Sequence, residues 1–224
     1  MRRSIALALA LLVPLLMVGC GDSSTSAEPA PPPAPPSSPS PSPPPPSPPP
    51  APSKTSPTFT KDDLPRIALG PKNAPSGLRY LKEESGPTTL AGIGLILPRQ
   101  TRPLRALGFK AVHDSVFVAK AQSDQRVSQR LWLFRNRRGA SAWLKKTRDD
   151  SVALQWAPIG APQLGDESWA ARGLIQIGGG EAMTHAFRLG NAVFTVSMYG
   201  NVTPPTEAGA LAAAKAALAK ASRG

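Results

Sequence analysis

This 224-residue chain has one cysteine, two histidines and a shortage of acidic residues, 14 Asp+Glu against 26 Lys+Arg. Each scarcity removes a class of protein. With Cys20 as the only thiol, no internal disulfide can form, and whatever folds after it is held by packing alone. Two histidines without a ligand-spaced partner set do not make a zinc site. No G-x-S-x-G elbow occurs to place a nucleophile. Gly178-Gly179-Gly180 lacks the Lys-Ser/Thr of a phosphate loop and reads as a strand connection. Long apolar runs are also missing: Ile5 to Val18 is fourteen residues broken by Pro14, whereas a membrane span needs about 20. The sequence therefore assigns no catalytic residue, no metal and no cofactor, and the expectation is a protein that is not an enzyme.

What is present begins with a three-part export signal over 1–19. Arg2 and Arg3 form the charged start, Ile5 to Val18 the apolar middle and Val18-Gly19 the small-residue end. Met17-Val18-Gly19-Cys20 resembles the lipobox of bacterial lipoproteins, with Met17 where Leu is preferred. The resemblance implies that Cys20 is the lipidated first residue of the mature protein, anchored on the outer side of the cell membrane. Cleavage near Ser26-Ala27, leaving a secreted protein, is the alternative. Residues 20–58 then form a spacer, with 17 of the chain's 28 prolines between Pro29 and Pro57. Proline lacks the amide donor and pushes its predecessor extended, so no packed core can form there. About 30 residues of polyproline II would reach roughly 90 Å.

Residues 59–224 are long enough for one domain with a real core. From Lys61 onward there are 23 Lys+Arg against 12 Asp+Glu, so the domain itself is basic. Outside a cell that favours an anionic envelope polymer, lipid or protein as partner, and no motif points to nucleic acid. Pattern reading predicts an α+β domain with an antiparallel sheet flanked by helices. Thr60 with "KDDLP" reads as a capped turn stopped at Pro65, and "GLRYLKEESG" and "TTLAGIGLIL" as weak strands. "GFKAVHDSVFVAKAQ" and "VSQRLWLF" read as strands, the second with Leu131 and Leu133 on one face and Trp132 and Phe134 on the other. "NRRGASAWLKKTRDD" reads as a helix with Ala140, Trp143 and Leu144 as its apolar stripe. Gly190-Asn191 predicts a tight hairpin with positive φ at both central residues, placing Phe194 and Val196 toward the core. Thr203 is the expected cap of the Ala-rich terminal helix.

The succession lWLFR, GAxxWL, LGDES, AFRxGNxVxxV and an Ala-rich terminal helix resembles small exported domains of actinobacterial lipoproteins. Some of these are similar to the extracellular sensor domains of mycobacterial serine/threonine kinases. The resemblance implies a binding or sensing module without catalytic residues. The candidate anion-binding residues are Arg99, Arg102 and Arg105 at three-residue spacing, and Arg135, Arg137, Arg138, Lys145 and Lys146 around a helix start, where cations oppose the helix dipole. An ordinary solvated basic surface reads the same residues equally well. His113 beside Asp114, and His185, can be drawn as parts of a hydrolytic triad, but both fall in strand-like runs. Asp166-Glu167 suits a structural turn better than a cation site. Three functions are carried forward: an anchored binding or sensing domain, an accessory envelope protein acting by protein contact, and, last, an envelope hydrolase.

Overall fold

Strand β4 (Arg126–Phe134) shows how the sequence pattern becomes a sheet. Val127, Leu131 and Leu133 are buried on one face and Trp132 and Phe134 on the other, as their alternation requires. The computed structural model describes residues 56–120, 124–175 and 179–224. The expected signal peptide, Cys20, the spacer up to residue 55 and Gly178 lie outside them. The described chain is α+β, and every strand pairing in it is antiparallel.

In chain order the elements are α1 (Leu64–Ile67), β1 (Leu78–Tyr80), β2 (Gly86–Thr88), α2 (Leu90–Ile96), α3 (Thr101–Ala106), β3 (Phe109–Ala119) and β4. After them come α4 (Arg137–Ala153), β5 (Ala157–Pro158), β6 (Glu167–Leu174), β7 (Glu181–Leu189), β8 (Ala192–Gly200) and α5 (Glu207–Ala221). The sheet order is β1-β3-β4-β8-β7-β6-β5, and β2 shares the β3 edge with β1. Two helical layers cover its faces. On one, the Ala210, Ala213, Ala214, Ala217 and Ala221 stripe of α5 packs with Phe117, Leu131, Phe187 and Phe194. Alanine there combines helix propensity with close approach to the sheet. On the other, Ala140, Trp143 and Leu144 of α4, the expected stripe, pack on Trp132, Phe134 and Val193. Ile93 of α2 and Leu104 of α3 extend that second cluster.

Several local expectations are corrected. "TTLAGIGLIL" is not a strand: Thr89 accepts from the Gly92 amide and starts α2, and Leu97 ends it before Pro98. Its burial of Ile93 under the sheet outweighs two glycines. Pro65 does not stop a helix but occupies the first turn of α1, where a missing amide costs nothing. The cap of α5 is Thr206, whose hydroxyl accepts from the Gly209 amide; Thr203 instead gives its backbone N–H to Asp124.

The Gly190-Asn191 hairpin is borne out, with Leu189 opposite Ala192. Only Gly190 has positive φ, +59°, the sign pattern of a II′ turn with glycine first. A side chain at Gly190 would also run into the carbonyl of Pro57. Asn191 serves another purpose. Its buried amide accepts from Phe59 N–H at 2.7 Å and donates to Phe59 C=O at 3.0 Å and to Phe134 C=O at 2.9 Å. Residues 56–59 are thereby strapped across the hairpin end of the sheet, with Ser56 also donating to Asp166.

Candidate functional site

At the opposite end of β4 and β8 from this hairpin, the α4 face of the sheet holds a cleft of about 530 Å³. The cause is in the register. Helix α4 sits over Trp132 and Val193, and beyond them the same face presents Arg130, Ser128 and Arg126 on β4, and Thr195, Ser197 and Tyr199 on β8. Ser128 is directly opposite Ser197, and Arg130 opposite both Thr195 and Asp114. Opposed side chains are about 5 Å apart across strands and roughly 7 Å along them, so the floor is a close grid of polar groups. Glu84 and Thr88 from the β1–β2 edge, Leu97 and Gln100 from the α2–α3 connection, and Thr147 of α4 supply the walls.

The charged groups of the cleft are paired. Arg130 grips Asp114 with Nε at 2.6 Å and Nη2 at 3.2 Å, Thr88 donates to the same carboxylate, and the guanidinium lies 5.4 Å from the Trp132 ring centre. Arg126 pairs with Glu84 and lies over Tyr199. Burial pushes the Tyr199 phenol up, against the pull of Arg126 and Arg130, so it keeps its proton at neutral pH. Around this cleft are buried polar atoms with no partner among the described residues: Gln100 Oε1, Arg126 Nε, Trp132 Nε1, Trp143 Nε1 and Thr195 Oγ1. A buried polar group without a partner costs about 1–3 kcal/mol. Five of the nine such atoms among the described residues border this one cavity.

The residues singled out in the sequence are elsewhere. Arg99, Arg102 and Arg105 are exposed on the α2–α3 segment, and Arg135, Arg137 and Arg138 on the approach to α4. Gly108 bonds through its backbone to both Arg105 and Arg135, which brings these two together. Arg137 donates to the Ser56 carbonyl, so it holds the strap. Lys145 and Lys146 pair with Asp149 and Asp150 at 2.7 Å each. None of the eight lines the cleft. The cleft residues Arg126, Ser128 and Arg130 had a legible signal: three polar residues at strand period on the face that continues into buried Trp132 and Phe134.

His113 and His185 lie on the α5 face, away from the cleft, on β3 and β7 with β4 and β8 between them. Three strand spacings separate them by about 14 Å, which rules out a shared triad. Burial lowers the pKa of each; Asp114 opposes this for His113, with Lys220 adding to it, and Glu207 opposes it for His185. Asp166 and Glu167 are structural: Arg188 bonds both, Gly190 N–H and Ser56 also donate to Asp166, and Ser141 to Glu167.

The fold therefore defines an α+β domain with one antiparallel sheet between helical layers, bearing a polar cleft on the sheet. No family model matches the chain and no curated protein matches it. Among solved structures, it is similar to the extracellular domain of PknH from Mycobacterium tuberculosis, with 13% identity and a TM-score of 0.50 over 75% of this chain and all of that one. At that identity the likeness is one of fold, and it bears out the expected similarity to the extracellular domains of mycobacterial kinases.

Proposed function

We propose that this chain is a lipoprotein anchored through Cys20 on the outer side of the bacterial cell membrane, whose domain binds or senses an envelope ligand in the sheet cleft without transforming it. The observation that carries the reading is the set of unpartnered buried polar atoms around one cavity. The likeness of fold to an extracellular domain supports the location, as do the lipobox and the proline-rich spacer. A binding role is favoured over pure protein contact because the site is concave and sets a few polar groups among aromatic side chains. It is favoured over hydrolysis because both cleft carboxylates are engaged by arginines and neither histidine is near. The strap at residues 56–59 is tied at the hairpin end of β7 and β8, and the cleft lies toward the other end of β4 and β8.

The test replaces Ser197, on the floor, by Trp. Soluble glycan and lipid fractions of a bacterial envelope are titrated against the wild-type protein and Ser197→Trp, and the melting temperature is followed. At least one fraction raises it for the wild type and leaves the variant unmoved. Equal shifts in both proteins, or none in either, refute the reading.

A further inference from the structure

The chemistry of the cleft narrows its ligand, on the assumption that the cleft is the binding site. Its charges cancel: Arg126 and Arg130 are matched by Glu84 and Asp114, in a chain whose overall charge is +12. An anion would have to compete with Asp114 for a two-pronged arginine contact already made. A lipid chain finds little aliphatic wall, Leu97 and Val116, and the rings of Trp132, Trp143 and Tyr199 beside them carry N–H and O–H groups that it would leave without partners. An extended peptide finds no edge to join, because β3, β4 and β8 are all paired on both sides in this region. What the site offers is a grid of hydroxyls, Ser128, Thr195, Tyr199 and Ser197, the last also sharing a hydrogen bond with Thr184, between paired guanidinium and carboxylate groups.

The unpartnered atoms add to this pattern. Arg126 Nε, Trp132 Nε1 and Trp143 Nε1 can only donate, Gln100 Oε1 can only accept, and Thr195 Oγ1 can do both. Trp132 and Trp143 are 4% and 2% exposed, and their N–H groups find no partner among the described residues that line the cleft. A ligand that matches must be uncharged and carry many closely spaced oxygens that both donate and accept. We infer that the cleft binds a neutral saccharide, its ring oxygens and hydroxyls bridging the β4 and β8 side chains, and its C–H face toward Val116 and Leu97.

The experiment applies the full chain to a printed array of neutral, N-acetylated, sulfated and uronic-acid oligosaccharides, with vesicles of anionic phospholipid in parallel. Hits are titrated calorimetrically against wild type, Ser197→Trp and Ser128→Ala. Ser128→Ala keeps the cleft open and serves if the bulky variant misfolds. The expected result is binding to neutral glycans that is insensitive to salt from about 50 to about 500 mM. It is lost in Ser197→Trp and weakened about 5-fold in Ser128→Ala, the worth of one hydrogen bond. Binding confined to acidic glycans or vesicles, weakened by salt and blocked by Ser197→Trp, overturns the saccharide and leaves the cleft reading standing. Glycan binding untouched by both variants, or no glycan binding, overturns the inference outright.

Discussion

Replacing Asn191 by leucine tests the joint between the strap and the sheet. Asn191 is 3% exposed, and its amide is the partner of Phe59 N–H, Phe59 C=O and Phe134 C=O. Leucine has similar bulk and satisfies none of them. At about 1–3 kcal/mol for each orphaned buried group, with some relief from water reaching the strap, the loss is about 3–5 kcal/mol. That is a large share of the roughly 5–15 kcal/mol typical of a domain. Urea unfolding followed by tryptophan fluorescence reads it: with a slope of about 2 kcal/mol/M, the midpoint falls by roughly 1.5–2.5 M. Asn191→Gly separates this explanation from one based on turn strain. Because φ at Asn191 is not positive, glycine brings no relief and destabilises like any residue lacking the amide. A midpoint for Asn191→Gly within about 0.3 M of wild type would refute the reasoning.

Two further outcomes are expected. Both buried histidines have folded pKa values below 6.5, so the unfolded chain takes up protons first; their contribution is intact above that pH and is lost as pH falls from about 7 toward 5. Stability then declines by at most about 1.4 kcal/mol per pH unit for each histidine, and His185→Phe shows a shallower slope; an identical slope in the variant contradicts the assignment. Cys20→Ala moves the protein from the detergent phase to the aqueous phase in detergent partitioning, and unchanged partitioning removes the lipid anchor.

Features set by near neighbours could be read directly from the chain. Alternation along Val127–Phe134 announced a strand with two faces, the Ala140-Trp143-Leu144 spacing a helix, and Gly190 a turn, because each depends on local sterics and period alone. Helix α2 escaped because its glycines and branched residues leave local preference indecisive, and burial of Ile93 against distant residues settles it. The Thr203 cap failed for a similar reason: Asp124, nearly 80 residues away in sequence, takes the backbone amide of Thr203 and with it the turn before α5.

Asn191 was recognised as a turn residue, yet its side chain works on Phe59, 132 residues earlier, a relation no local pattern contains. The cleft is the extreme case. Its residues run from Glu84 to Tyr199, and they meet only because β3, β4 and β8 pair in one register and α4 covers only part of their shared face. Composition announced a basic protein and drew attention to exposed arginines and lysines. The cleft lies apart from them, among paired charges whose net is zero, and only tertiary structure brings those pairs together, since pairing and burial are properties of partners far apart in the chain.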